Sequence, residues 1–380
     1  MWLSTSAFWV GLSTVIVFVP TQLGLENRLT APEKEVKVLL LLVISGLLSI
    51  VNAIDRSAAW LQLVDYFKVV VIFIMMVNVL RTEWRFKVLL LLILSVTVVL
   101  SVAAVTDFIT GNLTLQGTRI EGVIGGLFSN PNDLALQFVI MVPIAIVLSF
   151  RSRDWRKRIL YFLAALSITA GIVATFSRGG LVGLAVALAV LAWRLAPRHR
   201  GLLLASLLVM ILSVPVLAGY SSRFSTSEGS AVNRLDDLER SVNVAIHHPL
   251  LGVGMNNYRI FSNRALATHN AYTQVFVEMG IAALILYVSF LVLPLKALRR
   301  LGNGAPEKGK NGIRFMAAGL EASIWGYMAC SFFASVAYLW YAYYLIAFAI
   351  SLRRLYGVDG DTSSYSRSTL RRFRPNRVYA

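Results

Sequence analysis

Long runs of apolar residues, separated by short polar segments, dominate the sequence. A helix that crosses a membrane needs roughly 20 mostly apolar residues, and eleven runs come close to that length. Because lipid cannot satisfy backbone hydrogen-bonding groups, each run is predicted to be a helix. The pattern predicts an all-α polytopic membrane protein with about 11–12 transmembrane helices. The predicted spans are 4–22, 36–54, 58–80, 87–108, 131–150, 159–176, 180–195, 201–219, 270–295, 314–334 and 336–352.

One polar stretch, residues 220–268, breaks this pattern and is predicted to be a structured loop. Within it, apolar residues recur at helical spacing, which predicts an amphipathic helix with Asn233 as its N-cap and its apolar face on the membrane or the bundle. The predicted organisation is one transmembrane helical domain, 1–352, which includes this loop, and a basic cytoplasmic tail, 353–380. The helix pattern rests on Val232, Leu235, Leu238, Val242 and Ile246.

The distribution of charge predicts which side of the membrane each loop faces. The chain has a net charge of +17 but only 14% charged residues. Most Lys and Arg residues fall on alternate loops and in the tail, which is the positive-inside pattern of a multi-pass membrane protein and argues against a nucleic-acid partner. The pattern predicts that loops 109–130, 177–179 and 220–268 face the outer side. The single cysteine, Cys330, lies within a predicted span and is interpreted as a core thiol.

Three arginines on the predicted outer side are candidates for binding an anion. Arg178 stands in "SRGG", where glycines would let backbone N–H groups approach the same anion; a snorkelling Arg at a tight turn is the alternative. Arg119 precedes "NPND", where Asn130 and Asn132 read as caps of a helix that starts at Pro131. Arg234 lies on the amphipathic helix, where simple solvation is the competing interpretation.

The stretch "THNAYTQVFVEMG" carries the candidate base. His269 stands before a span, and Asn270, Gln274 and Glu278 follow at four-residue spacing on one helical face, which is predicted to face the bundle interior or a wet cavity. A histidine can take and return a proton near neutral pH. A histidine simply packed at the interface is the alternative.

Two further observations limit the chemistry. Asp65 and Lys68 lie three residues apart in one span, interpreted as a structural pair, with an ion or proton pathway as the alternative. The sequence has no histidine pattern typical of a metal site, no Walker A motif and no dinucleotide fingerprint. We therefore expect no cofactor and no metal, and a substrate that is already activated.

Together, four segments resemble the O-antigen ligase family within the O-antigen ligase/polymerase superfamily of bacterial membrane glycosyltransferases. They occur in the family's order and are "GLFSNPNDLA" (126–135), "TFSRGGLVGL" (175–184), "NRLDDLERSVNVAIHHPLLGVGMNNY" (233–258) and "THNAYTQVFVEMGI" (268–281). The resemblance implies about twelve helices, a structured periplasmic loop, and a site that faces the periplasm. The chain departs from the family in its count of eleven spans, in a compact loop, and in lacking the tryptophan that often follows the loop arginine.

The resemblance also implies a reaction and its residues. The expected activity is transfer of a glycan from an undecaprenyl-diphosphate donor to an acceptor hydroxyl, with ligation to lipid A–core preferred. His269, Arg178 and Arg234 match the family's motif residues and are predicted to be catalytic. Fixed guanidinium groups would stabilise the leaving diphosphate, and His269 would accept the hydroxyl proton. The predicted substrate-binding residues are Arg119, Asn270, Gln274 and Tyr258.

Other functions stay open at this point. A polymerase would use a second lipid-linked repeat as the acceptor, and the sequence holds no acceptor motif that separates it from a ligase. A transporter of lipids or anions would fit the many spans and the Asp65–Lys68 pair, although no inverted repeat is apparent. A structural membrane scaffold is the third alternative.

Overall fold

A computed structural model describes residues 33–112, 120, 130–195, 201, 228–262, 267–303 and 311–356, with the backbone alone at 228–235 and 311. The described part consists of helices and their connections. The helices are α1 (Lys34–Ser49), α2 (Arg56–Val79), α3 (Glu83–Thr110), α4 (Pro131–Arg151), α5 (Trp155–Ala174), α6 (Arg178–Leu195), α7 (Glu228–His247), α8 (Tyr258–Phe261), α9 (Ala271–Asn303), α10 (Asn311–Cys330) and α11 (Tyr341–Tyr356). Short 3-10 turns follow α1 and α10, at Ile50–Asn52 and Ser331–Phe333.

The predicted all-α membrane fold is confirmed. Within the described ranges, seven helices are long and apolar enough to cross a membrane: α1 with its 3-10 turn, α2 to α6, and α9. At the predicted spans 314–334 and 336–352 the structure has the helices α10 and α11, which are not among these seven. The predicted spans 4–22 and 201–219, and the tail 353–380 beyond residue 356, lie outside the described residues.

Capping residues set several helix starts. Asn130 accepts a hydrogen bond from the Asn132 N–H at 2.9 Å, and Pro131 occupies the first turn, as the sequence predicts. The predicted capping role of Asn132 is wrong, because Asn132 lies inside α4. Asp55 and Thr82 cap α2 and α3 in the same way, by accepting from backbone N–H groups three residues later. Satisfied N–H groups fix where each helix begins and therefore which residues stand at each end of the bundle.

Long helices that are joined by a short described connection run in opposite directions, so the described bundle has two distinct ends. At the first, which we call the loop end, α4, α6, α9 and α11 begin. At the second, the ion-pair end, these helices finish and α1, α3, α5 and α10 begin. The predicted outer segments at 177–179 and 248–262 both lie at the loop end, where Gly179 packs on Phe333 and Gly252 binds Asn52.

The centre of the bundle is formed by α4 and α11, which are buried along nearly their whole length. A polar chain crosses this core: the Tyr344 hydroxyl donates to Gln137 Oε1 at 2.9 Å, and Gln137 Nε2 donates to Thr97 Oγ1 at 3.0 Å. Buried polar groups are stabilising only when paired. These bonds join α11, α4 and α3 in one register.

Arginine–carboxylate pairs connect the helices at the ion-pair end. Glu321 of α10 is buried and binds both Arg194 Nε, at 2.9 Å, and Arg299 Nε, at 2.7 Å. Arg353 of α11 binds Glu35 of α1 at 2.8 Å. These pairs join α6, α9 and α10, and separately join the two ends of the described chain.

The amphipathic helix of the loop differs from its prediction in two ways. Asn233 is not an N-cap, because α7 begins at Glu228 and Asn233 lies inside it. Ile246, which belongs to the predicted apolar face, is exposed in the described bundle, whereas Ser241 and Ala245, which lie outside the predicted pattern, are fully buried. Small side chains let α7 approach its neighbours closely, which an apolar periodicity does not record. The helix rests on the bundle, with α9 as its main partner.

The structure confirms the predicted core thiol, Cys330, and the predicted Asp65–Lys68 pair. Cys330 is buried, and its thiol donates to the Gly179 carbonyl at 3.4 Å. Asp65 and Lys68 form the predicted ion pair at 2.7 Å, but both side chains face outward rather than into the bundle.

Candidate active site at the loop end

The loop end is organised around a break in α9. Gly280 has a φ of 84°, so the helix is interrupted between two halves. Backbone groups of the 249–254 segment take up the hydrogen bonds at the break. Val253 N donates to Val277 O at 2.9 Å, Gly254 N to Glu278 O at 3.0 Å, and Ile281 N to Pro249 O at 2.8 Å. The loop is therefore held directly by the membrane helix.

Glycines make this contact possible. A Cβ on Gly252 would lie 2.4 Å from the Glu278 carbonyl carbon, and one on Gly280 would lie 2.1 Å from the Leu250 oxygen. Both residues have positive φ, which favours glycine. At both positions a side chain would not fit between the loop and the helix.

The loop is also held by the connection between α1 and α2. Asn257 Nδ2 donates to Asp55 O at 3.0 Å, and Asp55 N donates to Asn257 Oδ1 at 2.8 Å. Tyr258, one of the predicted substrate-binding residues, is buried, and its hydroxyl donates to the Asp237 carbonyl at 3.2 Å. Burial raises the pKa of the Tyr258 phenol above its usual value, and the Asp237 carboxylate adds to this effect. The bond from the Tyr258 hydroxyl to Asp237 therefore joins α8 to α7.

His269 stands immediately before α9 in a left-handed backbone conformation, with φ 52° and a half-buried side chain. A histidine pays an energetic cost for this conformation, and such residues cluster at functional sites. The flanking Thr268 holds the turn by donating from Oγ1 to Asn270 O at 2.9 Å, and it also lies 3.1 Å from Ser335 Oγ. The turn is fixed on both sides of His269.

The polar face predicted after His269 does point into the bundle. Asn270 caps α9 by accepting from Tyr272 N at 2.8 Å and Thr273 N at 3.1 Å. Gln274 Oε1 accepts from Ala337 N at 3.4 Å. Glu278 is buried and accepts from the Tyr338 hydroxyl at 2.8 Å. The face therefore binds the segment that joins α10 to α11.

Tyr338 was not predicted from the sequence. No spacing links it to Glu278, because the two residues lie 60 positions apart. The signal that could have identified it is the presence of a glutamate in a span, since a buried carboxylate requires a hydrogen-bond donor.

Arg178 is the first residue of α6 and has an exposed side chain. Before it, Phe176 has a φ of 53°, and Ser177 caps the helix by accepting from Gly180 N at 3.1 Å. A cation at a helix N-terminus opposes the helix dipole. A bound anion would gain from the guanidinium and the dipole together, so anion binding stays a prediction for Arg178.

The expectation that Gly179 and Gly180 present free N–H groups to an anion is wrong for Gly180, whose N–H is bound by Ser177. Instead the glycines permit close packing. A Cβ on Gly179 would lie 2.9 Å from Phe333, and one on Gly180 would lie 2.8 Å from Ala135. The "SRGG" motif thus fixes the start of α6 against the start of α4.

The 3-10 turn Ser331–Phe333 contacts both the "SRGG" motif and the start of α9. Gly179, next to Arg178, packs on Phe333. Tyr272, three residues after His269, packs on Phe332 with ring centroids 6.1 Å apart, and its hydroxyl donates to Met328 O at 2.9 Å. Both motifs therefore begin their helices beside one aromatic turn.

Three non-glycine residues of the described chain have a positive φ, and all three lie at the loop end: Phe176, Asn256 and His269. Each stands in a different motif that carries the family resemblance. Strained conformations of this kind persist only where surrounding contacts impose them. Their coincidence marks the loop end as the candidate active site.

Two predicted arginines cannot be placed in the same detail. Arg119 lies outside the described residues. Arg234 lies on α7, which packs on the first half of α9, and only its backbone is described. In the described part of the chain, no three His, Cys, Asp or Glu side chains are grouped to hold a metal ion.

The fold and this end of the bundle define a polytopic helical membrane protein with a loop docked on a broken helix. A family model described as O-antigen ligase matches residues 162–288, which include α6, α7, the docked loop and the start of α9. This match confirms the predicted resemblance to the O-antigen ligase family, over about a third of the chain. A search of curated proteins found no match.

Proposed function

We propose that the protein is a membrane glycosyltransferase that moves a glycan from an undecaprenyl-diphosphate donor to an acceptor hydroxyl at the loop end. The match to the O-antigen ligase family supports a ligase- or polymerase-type enzyme. The observation that carries the proposal is the convergence of three strained motif residues, Phe176, Asn256 and His269, at that end.

In the proposed reaction, the acceptor hydroxyl oxygen attacks the anomeric carbon of the donor sugar. The bond from that carbon to the diphosphate oxygen breaks, and undecaprenyl diphosphate leaves with the bonding electrons. His269 takes the hydroxyl proton. A single displacement of this kind inverts the anomeric centre, so a retained configuration in the product, measured by NMR, would contradict it.

The leaving diphosphate gains negative charge as the bond breaks, so fixed cations beside it accelerate the step. Arg178 supplies such a cation at the start of α6, together with the N–H dipoles of the helix. We assign Arg234 the same role from α7, and assign donor binding to Arg119 and Gln274. Arginine keeps its proton at any physiological pH, so the reaction is proposed to proceed without a metal.

Asn270 and Tyr258, both predicted to bind substrate, are assigned a mainly positioning role. The Asn270 side-chain oxygen already caps α9, and the Tyr258 hydroxyl already binds backbone. Their proposed contribution is to hold His269 and the docked loop at the substrate, with only the remaining polar atoms of Asn270 available to it.

The preferred acceptor is lipid A–core, which would make the protein an O-antigen ligase of the bacterial inner membrane with its loop end facing the periplasm. The second candidate is a polymerase that uses another lipid-linked repeat. Deletion of the gene separates the two. Loss of a ligase leaves polymer on its lipid carrier, whereas loss of a polymerase leaves single repeats attached to core.

The direct test is transfer in vitro, with purified protein, a glycan on undecaprenyl diphosphate, and lipid A–core. The proposal expects a glycosidic product both with and without EDTA. Activity abolished by EDTA would remove the metal-free mechanism. Movement of the donor across liposomes without bond formation would support a transporter instead.

A further inference from the structure

Helix α2 carries an exposed stripe with the spacing of a helix–helix seam. Leu61, Asp65, Lys68 and Ile72 follow one another at intervals of four, three and four residues, and Val79 continues the series. Leu61 is 63% exposed and Ile72 is 54% exposed. Intervals of three and four residues repeated in this way place side chains on one line along a helix, as in a coiled coil.

The two charges of this stripe lie deep in the span. Asp65 is nine residues after the start of α2 at Arg56, which corresponds to about 14 Å along the helix axis. The Asp65 and Lys68 side chains are 66% and 58% exposed while bonded to each other at 2.7 Å. Charged side chains at this depth are costly and almost always face protein or water rather than lipid.

Helix α2 cannot rotate to bring the Asp65–Lys68 pair into the bundle. Its opposite face is fully packed in the core through Leu63, Tyr66, Val70 and Phe73. Tyr66 alone packs on the rings of Tyr338, at 5.4 Å, and Tyr343. The ion pair is therefore held on the outside of the described bundle by the packing of the inside.

We propose that this stripe is the interface between two copies of the chain. A twofold axis along the membrane normal would place α2 of each copy side by side, parallel and at one depth. Asp65 of one copy would then meet the partner's Lys68, and Lys68 would meet the partner's Asp65. Four charges form a closed ring, screened from lipid by the flanking Leu61 and Ile72.

Charge complementarity selects a second copy as the occupant. A twofold interface requires that each patch complement itself, so that residue i meets j while j meets i. An adjacent Asp and Lys on one stripe satisfy this condition without any further residue. A polar position within an otherwise apolar seam also fixes the register of the two helices.

The test is a charge exchange between two differently tagged copies of the full-length protein. Asp65→Lys leaves two lysines on the stripe, and Lys68→Asp leaves two aspartates. Each variant expressed alone should lose self-association, whereas co-expression of the two should restore it. Capture of one tag with the other should rise at least about 10-fold above either variant alone.

Cysteine cross-linking in the otherwise native chain keeps the test independent of how well the charge variants fold. Cys330 is buried and can stay. Leu61→Cys should cross-link two copies in native membranes, whereas Leu92→Cys, exposed on α3, is the matched control and should not. Equal cross-linking at both positions, or charge variants that associate no better together than alone, would overturn the proposal. That second result would point to another segment of the same chain, or to a different protein, as the cover.

Discussion

The two ends of the bundle place their arginines differently. At the ion-pair end, guanidinium groups bind carboxylates across helices, as in Arg353 with Glu35 and Arg299 with Glu321. At the loop end, Arg178 stands exposed at a helix N-terminus. The first arrangement stabilises the fold, and the second is the one to which the proposed function assigns anion binding.

Backbone conformation separates the two ends as well. The helices of the ion-pair end meet through side-chain bonds, whereas the loop end contains the broken helix α9 and all three described non-glycine residues with positive φ. Strain at one end is sustained by firm packing elsewhere. The comparison teaches that stability and activity should respond to mutations at different ends.

The largest expected effect is on stability, at Glu321. Glu321→Ala leaves Arg194 and Arg299 without their shared buried carboxylate, which should cost about 3–5 kcal/mol of unfolding free energy. The transfer rate per folded molecule should not change. Thermal unfolding and the specific activity of the folded fraction measure the two quantities.

Lys87→Ala is the control for Glu321. It removes an exposed pair with Glu83, also near the ion-pair end, and should cost less than about 1 kcal/mol. If Glu321→Ala lowered activity but left stability intact, the assignment of stability to the ion-pair end and activity to the loop end would be contradicted.

The next effect is on catalysis, at Arg178. Arg178→Ala should lower kcat by about 10²–10³-fold, because the leaving diphosphate loses a fixed cation. The Tm should stay near that of the wild type, since the side chain is exposed. Arg156→Ala, an exposed arginine at the ion-pair end, should leave kcat unchanged. Equal loss from both variants would mean that overall charge, rather than position, sets the rate.

The docked loop should give a smaller, mixed effect. Gly252→Ala places a methyl group against the backbone of Glu278 and Met279 in a positive-φ conformation, which should cost about 1–3 kcal/mol or more locally. We expect faster amide hydrogen exchange in 248–258 together with lower activity. Gly111→Ala is the control, because it also has positive φ but meets no neighbour within 4 Å. Unchanged exchange in 248–258 would show that the loop does not pack tightly on α9 at Gly252.

The smallest effect is expected at Tyr338. Tyr338→Phe removes the hydroxyl that donates to Glu278 and should destabilise the protein by about 0.5–1.5 kcal/mol, the net contribution of a typical hydrogen bond. Activity should fall less than in Arg178→Ala. A larger loss of activity than at Arg178 would assign the Glu278–Tyr338 pair to the chemistry itself.

Much of this architecture could be predicted from the sequence. Apolar run length located the described spans, and local chemistry gave the start of α4 at Asn130 and Pro131. The spacing of Asn270, Gln274 and Glu278 correctly predicted an inward polar face. These features depend on neighbours within one or two helical turns, which a sequence pattern records.

The features that were missed depend on contacts between distant residues. Residues 270–295 look like one continuous helix, and the break at Gly280 exists because Pro249, Val253 and Gly254 supply its hydrogen bonds. The side of α7 that packs on the bundle includes Ser241 and Ala245, whose small size the apolar spacing did not record. The pairing of Glu278 with Tyr338 likewise follows from the fold and not from spacing.

The central claim is that the loop end performs glycan transfer with His269 as the base. Its most direct measurement is the single-turnover rate of transfer from undecaprenyl-diphosphate glycan for wild type, His269→Ala and His247→Ala. His247 is exposed on α7 and serves as the matched control. The account predicts a loss of about 10²–10⁴-fold for His269→Ala, the usual contribution of a general base, and no loss for His247→Ala. A wild-type rate in the His269→Ala protein would contradict it.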